Sequence, residues 1–199
     1  MNIPVLETDR LRIRPFTMDD FEDIYRILDQ EPLSVSAVEG ARAARRDWLQ
    51  WTVLGYEQRA QLSQPPYGER AVTLKDSGRL VGAVGLVPSY NAFAQLPAFR
   101  TGLEPPPAQV YSPEVGLFYH IAQADRRQGY AAEAARALTA YMFETLNLGR
   151  IIATTDYDNA ASIAVMGKMG MRIARNPSPD PPWLQVVGVL ENPVCTPPA

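Results

Sequence analysis

The chain has 199 residues, 46% of them apolar and 21% charged, with a formal net charge of -3. That length favours a single domain over residues 1–199, and the composition is ordinary for a globular protein. The acidic balance argues against a general grip on nucleic acid, which needs a basic stripe to displace counterions.

No run approaches the roughly 18 apolar residues of a membrane helix. The one cysteine, Cys195, cannot close an intrachain bridge. The opening MNIPVLETDRLRIRPF has no apolar stretch of signal-peptide length. A reducing, cytoplasmic setting is the expectation.

In chain order, RLRIRPF alternates Leu11, Ile13 and Pro15 with Arg10, Arg12 and Arg14, the pattern of a half-buried strand. Thr17 with Asp20 three residues on predicts a capping box. Phe21, Ile24, Tyr25 and Leu28 then share one helical face. A second helix is expected over residues 38–62, with Trp48, Leu49, Thr52, Val53 and Tyr56 inward. RAVTLKDSGRLVGAVGLVPS reads as a hairpin turning at Asp76-Ser77-Gly78. Gly82 and Gly85 inside its second run predict a close backbone approach or a bulge.

Residues 88–113 read as an irregular insert, a length usually functional or mobile. PEVGLFYHIA is a strand, ADRRQGYAAEAARALTAYMFE opens a long helix, and RIIATT is a buried strand. NAASIAVMGKMG is a short helix closed by Gly170, and MRIAR and PWLQVVGVLE are strands around the turn NPSPDPP. Residues 193–199 are expected to be a loose tail. The order is βααβββαβαββ, a mixed α/β sheet.

The segment RRQGYA carries the functional signal. The first N–H groups of a helix lack internal partners, and the helix dipole adds partial positive charge there. An anion gains from both. Gly129 lets a phosphate approach without a Cβ in its way, and Arg126 and Arg127 add charge. The nucleotide-binding patterns G-x-x-x-x-G-K-[ST] and G-x-G-x-x-G are absent.

RRQGYA resembles the R/Q-x-x-G-x-G/A signature of the GNAT superfamily of acyl-CoA-dependent N-acetyltransferases, through Arg126, Gly129 and Ala131. LETDRLRIRPFTMDDF, GYAAEA and NAASIAVMGKMGM are similar, in order, to segments of its RimJ/RimL-type members, which acetylate ribosomal-protein N-termini. The resemblance spans about residues 6–191. It implies a central, twisted, mostly antiparallel sheet of about seven strands, splayed where acyl-CoA binds, with about four flanking helices.

It also implies acetyl-CoA as acyl donor, no metal, and an amine acceptor, and it leaves open a homodimer. Tyr119, Ile121, Arg126, Arg127, Gln128, Gly129, Tyr130 and Ala131 would serve the cofactor, with Asn159 and Ser162 on its pantetheine arm. Two departures stand out. Arg127 occupies a position where this subfamily often has glycine, and the insert at 88–113 is longer than usual.

Acyl transfer to an amine needs an oriented thioester, a deprotonated amine and a stabilised thiolate. A lysine amine with pKa near 10.4 is only about 0.04% neutral at pH 7, a cost of roughly 4–5 kcal/mol. For an α-amine the cost is about 1 kcal/mol. Glu114, which opens the strand before the phosphate loop, is the expected base, as acids on this strand often are in the family. His120, the only histidine, is the other candidate. Ser162 is the expected donor to sulfur, with Tyr119 and Tyr157 as weaker ones.

The sequence reading is therefore a single-domain N-acetyltransferase working by direct attack in a ternary complex. A non-catalytic acyl-CoA-binding sensor of the same fold is the rival, and release of free thiol in the presence of an amine separates the two.

Overall fold

A computed structural model describes residues 3–31, 40–100 and 109–195. Eight strands form one sheet in the order β1-β2-β3-β4-β5-β6-β8-β7. They are β1 (Leu6–Glu7), β2 (Leu11–Arg14), β3 (Gly68–Leu74), β4 (Leu80–Asn91), β5 (Ser112–Ile121), β6 (Arg150–Thr155), β7 (Arg172–Arg175) and β8 (Val186–Glu191). The recorded pairings are antiparallel except that of β5 with β6, which is parallel and sets Gly116 opposite Ile152. The sheet thus has one strand more than expected. The addition is β1, whose two residues are too few to show a period.

The α-helices among the described residues are α1 (Phe21–Tyr25), α2 (Ala41–Gln61), α3 (Tyr130–Glu144) and α4 (Ala160–Lys168). The Thr17–Asp20 capping box is present ahead of α1, which continues as a π-helical turn over Arg26–Gln30. Positions 38 and 39 of the expected second helix lie outside the described residues.

The chain clusters into two compact units. Residues 1–86 and 118–138 form the first, and residues 87–117 and 139–199 the second. In the first, Leu11 and Ile13 are fully buried on β2 as the alternation predicts, and Phe16, Ile24, Ile27, Leu49 and Leu80 belong to its core.

The β3–β4 hairpin forms as expected, with Gly78 at φ 71 in its turn. The irregularity foreseen from its glycines falls beside Gly82: Val72 faces Gly82 and Thr73 faces Leu80, which leaves Val81 as the extra residue on β4. Gly82 lies against β5, where an added Cβ would sit 2.2 Å from the His120 carbonyl oxygen and 2.7 Å from Ile121 Cδ1.

In the second unit the structure corrects the sequence reading. β4 runs on to Asn91, so the irregular stretch begins later than residue 88. Short 3-10 turns at Phe93–Gln95 and Pro97–Phe99 follow. Phe93 and Leu96 are fully buried in a cluster with Ile152, Leu184 and Val187. The insert therefore supplies core at these positions. Its residues 101–108 lie outside the described residues.

Pro193–Cys195 forms a 3-10 turn beside buried Asn192, which donates to the carbonyls of Phe143 and Leu148. Residues 196–199 are outside the described range. Met166, Met169 and Met171 are buried, as core filler should be.

One tie in the first unit fixes the start of α3. Glu133, in the first turn of α3, accepts from the Thr8 hydroxyl at 2.5 Å and from Arg10 Nε and Nη2 at 2.8 and 2.5 Å. The Arg10 guanidinium also lies over the Tyr130 ring, 4.7 Å from its centroid. Burial pushes the Glu133 carboxyl up, but the bonds from Thr8 and Arg10 outweigh it and hold the group below its ordinary value of 4.5.

Two outcomes are expected. Gly82→Ala should cost roughly 1–3 kcal/mol in urea unfolding, because neither the carbonyl nor the sheet can yield cheaply. A cost within experimental error of zero would contradict the close approach.

The second concerns acid. A lowered carboxyl contributes stability that is complete above its unfolded value and is lost as pH falls through the folded one. Glu133→Gln should therefore destabilise the protein at pH 7 by on the order of 1 kcal/mol. That difference should shrink as pH drops below about 4.5. A difference constant across pH would show that the charge contributes nothing.

Candidate functional site

β5 ends at Ile121, and the chain makes a 3-10 turn at Gln123–Asp125 before α3 begins at Tyr130. Backbone and side chains anchor the turn within the first unit. The Ala122 amide donates to the Val81 carbonyl at 2.8 Å, and the Gln123 amide to Glu31 Oε2 at 2.6 Å. Asp125 is buried and accepts from both terminal nitrogens of Arg79 at 2.8 Å. The Arg79 hydrogen bonds hold its carboxyl below the usual range.

Beyond Asp125 the backbone is unusual. Arg127 has φ 64 and Gly129 has φ 86, both left-handed. At Gly129 that geometry is free, whereas at Arg127 it costs about 1–2 kcal/mol. A glycine at position 127 would take this conformation freely, and this chain adopts it with an arginine. An added Cβ at Gly129 would meet nothing within 4 Å but Arg10 Nη2, at 3.5 Å. Backbone conformation and open approach, rather than crowding, therefore explain the glycine.

The amides that open α3 lack partners inside the helix. Arg126, Arg127 and Gln128 are exposed, and Arg126 Nε donates to the Ile121 carbonyl at 3.2 Å. This set of donors fits a phosphate or pyrophosphate. The two carboxylates flanking the corner, Asp125 and Glu133, would repel such a ligand if unpaired. Each is instead neutralised by an arginine from another strand or turn.

Sequence reasoning missed Asp125, Glu133, Arg10 and Arg79 as positioning residues. Their partners lie 46 and 123 residues apart in the chain. The available signals were the acid directly before Arg126 and the acid in the first turn of α3.

Tyr119, Ile121 and residues 126–131 all belong to the first unit, as does His120. His120 Nε2 is buried without a hydrogen-bond partner. Burial, and then the nearby Arg126 charge, push its pKa down from 6.5. The ring is therefore neutral at pH 7.

Glu114, Asn159 and Ser162 belong to the second unit. The parallel register explains Glu114's neighbour. Two residues before Gly116 and Ile152 lie Glu114 and Arg150, and Arg150 Nε donates to Glu114 Oε2 at 3.0 Å while its Nη2 donates to Oε1. The Glu114 side chain is 10% exposed, and Arg150 also covers the Phe99 ring at 4.9 Å.

Asn159 caps α4 by accepting from the Ser162 amide at 3.1 Å, as the sequence predicts. The Tyr157 hydroxyl donates to the Asn176 carbonyl at 2.6 Å, which commits the proton a sulfur donor would need. Among the described residues no group of three or more His, Cys, Asp or Glu is placed to hold a metal, and no helix is long and apolar enough to cross a membrane.

Comparison with known proteins agrees with this geometry. The acetyltransferase (GNAT) domain family matches residues 10–172. YoaA of Bacillus subtilis, an uncharacterized N-acetyltransferase, is 28% identical over 170 residues, covering 85% of this chain and 83% of its own. Among solved structures, an acetyltransferase from Agrobacterium tumefaciens aligns with TM-score 0.64 at 22% identity, over 96% of both chains. The ribosomal-protein-S5-alanine acetyltransferase of Vibrio fischeri aligns with TM-score 0.64 at 15% identity, over 97% of this chain and 99% of its own. At such identities the structural likeness is one of fold. The domain match covers most of the sequence, and the chain belongs to the GNAT acetyltransferase family and is an acyltransferase.

Proposed function

We propose that the protein transfers an acetyl group from acetyl-CoA to a primary amine, on a protein N-terminus or a small molecule. The single domain would carry out this reaction in the cytoplasm by direct attack in a ternary complex. The observation that carries this reading is the corner at residues 126–131. There, two left-handed residues and the first amides of α3 create an open anion site. The pyrophosphate of the donor sits there, with Arg126 and Arg127 beside it. Asn159 and Ser162 serve the pantetheine arm, and Ser162 donates to the departing sulfur. RimJ/RimL-like acetylation of protein N-termini is supported only by distant likeness in fold, including that to the S5-alanine acetyltransferase.

In the transfer the amine nitrogen attacks the thioester carbonyl, the C–S bond breaks, and the coenzyme leaves as a thiol. The amine's proton must reach a base. Glu114 is the proposed base, acting through water, since Arg150 already bridges its carboxylate. A second reading places the base at His120, favoured by its neutral ring and unpartnered Nε2. The non-catalytic sensor reading predicts binding without thiol release.

Thiol release with a panel of amines and N-terminal peptides tests the function, and absence of turnover with every amine would overturn it. With an accepted lysine-like amine, Glu114→Gln should lower the rate at neutral pH by about 10²–10⁴-fold. The loss should shrink as pH rises and free amine accumulates. An unchanged profile for Glu114→Gln, with the loss appearing in His120→Gln, would move the base to the histidine.

A further inference from the structure

At the C-terminal end of α2, within the first unit, lies a cavity of about 150 Å³. Pro15, Tyr56, Arg59, Pro66, Tyr67 and Arg70 line it. Its volume is roughly ten times the ~10–15 Å³ that a cavity needs to hold one water. Its described lining holds two guanidinium groups and no carboxylate.

Arg59 is the unusual member. Its Nε and Nη2 are both buried, and neither has a hydrogen-bond partner. These two atoms form one edge of the guanidinium fork, the edge that receives a planar carboxylate side-on. The same edge is occupied elsewhere in the protein. Arg10 presents it to Glu133 at 2.8 and 2.5 Å, Arg45 to Asp29 at 2.7 and 3.0 Å, and Arg150 to Glu114.

The sequence makes room for the Arg59 fork. An added Cβ at Gly55 would sit 2.5 Å from Nη2, and one at Gly68 would sit 2.7 Å from it. Gly68 also has φ 119, which disfavours any side chain. Glu69, next to Gly68 on β3, feels the Arg59 charge but does not fill the fork. Arg70, 3% exposed, is held by donating Nη2 to the carbonyls of Ile3 and Pro4, both at 2.9 Å. It adds positive charge to the same cavity. The Tyr56 hydroxyl is committed to the Glu69 carbonyl and the Phe16 amide, so its ring serves as an apolar wall.

We propose that this cavity binds a small organic carboxylate, received side-on by Arg59 Nε and Nη2 and surrounded by the tyrosine and proline walls. The geometry selects the class of ligand. Two adjacent, nearly parallel N–H donors match the two oxygens of a carboxylate, and the apolar walls suit a short carbon body. A lysine at position 59 would keep the charge but lose the fork. The site does not depend on the acetyl-transfer reading.

The test is an arginine Nε–Hε NMR titration of the full chain with sodium acetate, against sodium chloride at matched ionic strength. The Arg59 signal is identified by its loss in Arg59→Lys. It should shift saturably with acetate and not with chloride. Arg59→Lys and Gly55→Ala, whose new methyl would displace the fork, should each weaken acetate binding by about tenfold or more, read from the shifts of neighbouring amides. Should a variant fail to fold, the wild-type titration decides alone. An Arg59 signal that ignores acetate, or that moves equally with chloride, would overturn the proposal. Unchanged acetate affinity in a folded Arg59→Lys protein would also overturn it.

Discussion

The turn from β5 into α3 holds a backbone conformation that L-residues avoid, and paired charges hold it there. Arg127 and Gly129 are both left-handed. On one side Asp125 is fastened to Arg79, and on the other Glu133 is fastened to Thr8 and Arg10. The resulting corner leaves the opening amides of α3 without internal partners and the approach to Gly129 open. Removing either carboxylate would free the turn to relax toward ordinary dihedrals and would leave an arginine unpaired. Leaving either carboxylate unpaired would place negative charge beside the proposed anion site. The ion pairs thus satisfy a structural and an electrostatic requirement together.

Much of the fold was legible because its signals are local. The alternation of Leu11 and Ile13, the capping box of Thr17 and Asp20, the turn at Gly78 and the cap at Asn159 each depend on a few neighbouring residues. The short β1 was not legible, since two residues carry no period. The insert's contribution to the core was not legible, because its buried anchors, Phe93 and Leu96, lie among prolines and small residues that read as loop. Only tertiary contact with Ile152 and Leu184 reveals them as core.

The site was legible in the same uneven way. RRQGYA suggests an anion-binding corner through glycine and charge, which are sequence properties. What steadies that corner comes from residues far off in the chain, and one sequence cannot pair Arg10 with Glu133. Glu114 illustrates the same limit. Nothing near it in the sequence announces Arg150, which the parallel register sets beside it. His120 shows the converse, since only burial reveals a neutral ring with an unpartnered nitrogen.

The central claim is that the amides opening α3 receive the pyrophosphate of coenzyme A. The most direct measurement is a titration of the isotope-labelled protein with coenzyme A, following backbone amide shifts. The account predicts that the amides of Gly129, Tyr130 and Ala131 move to lower field as hydrogen bonds form, and that they saturate together with the affinity measured calorimetrically. Coenzyme A that binds without moving these three amides, or that does not bind at all, would contradict it.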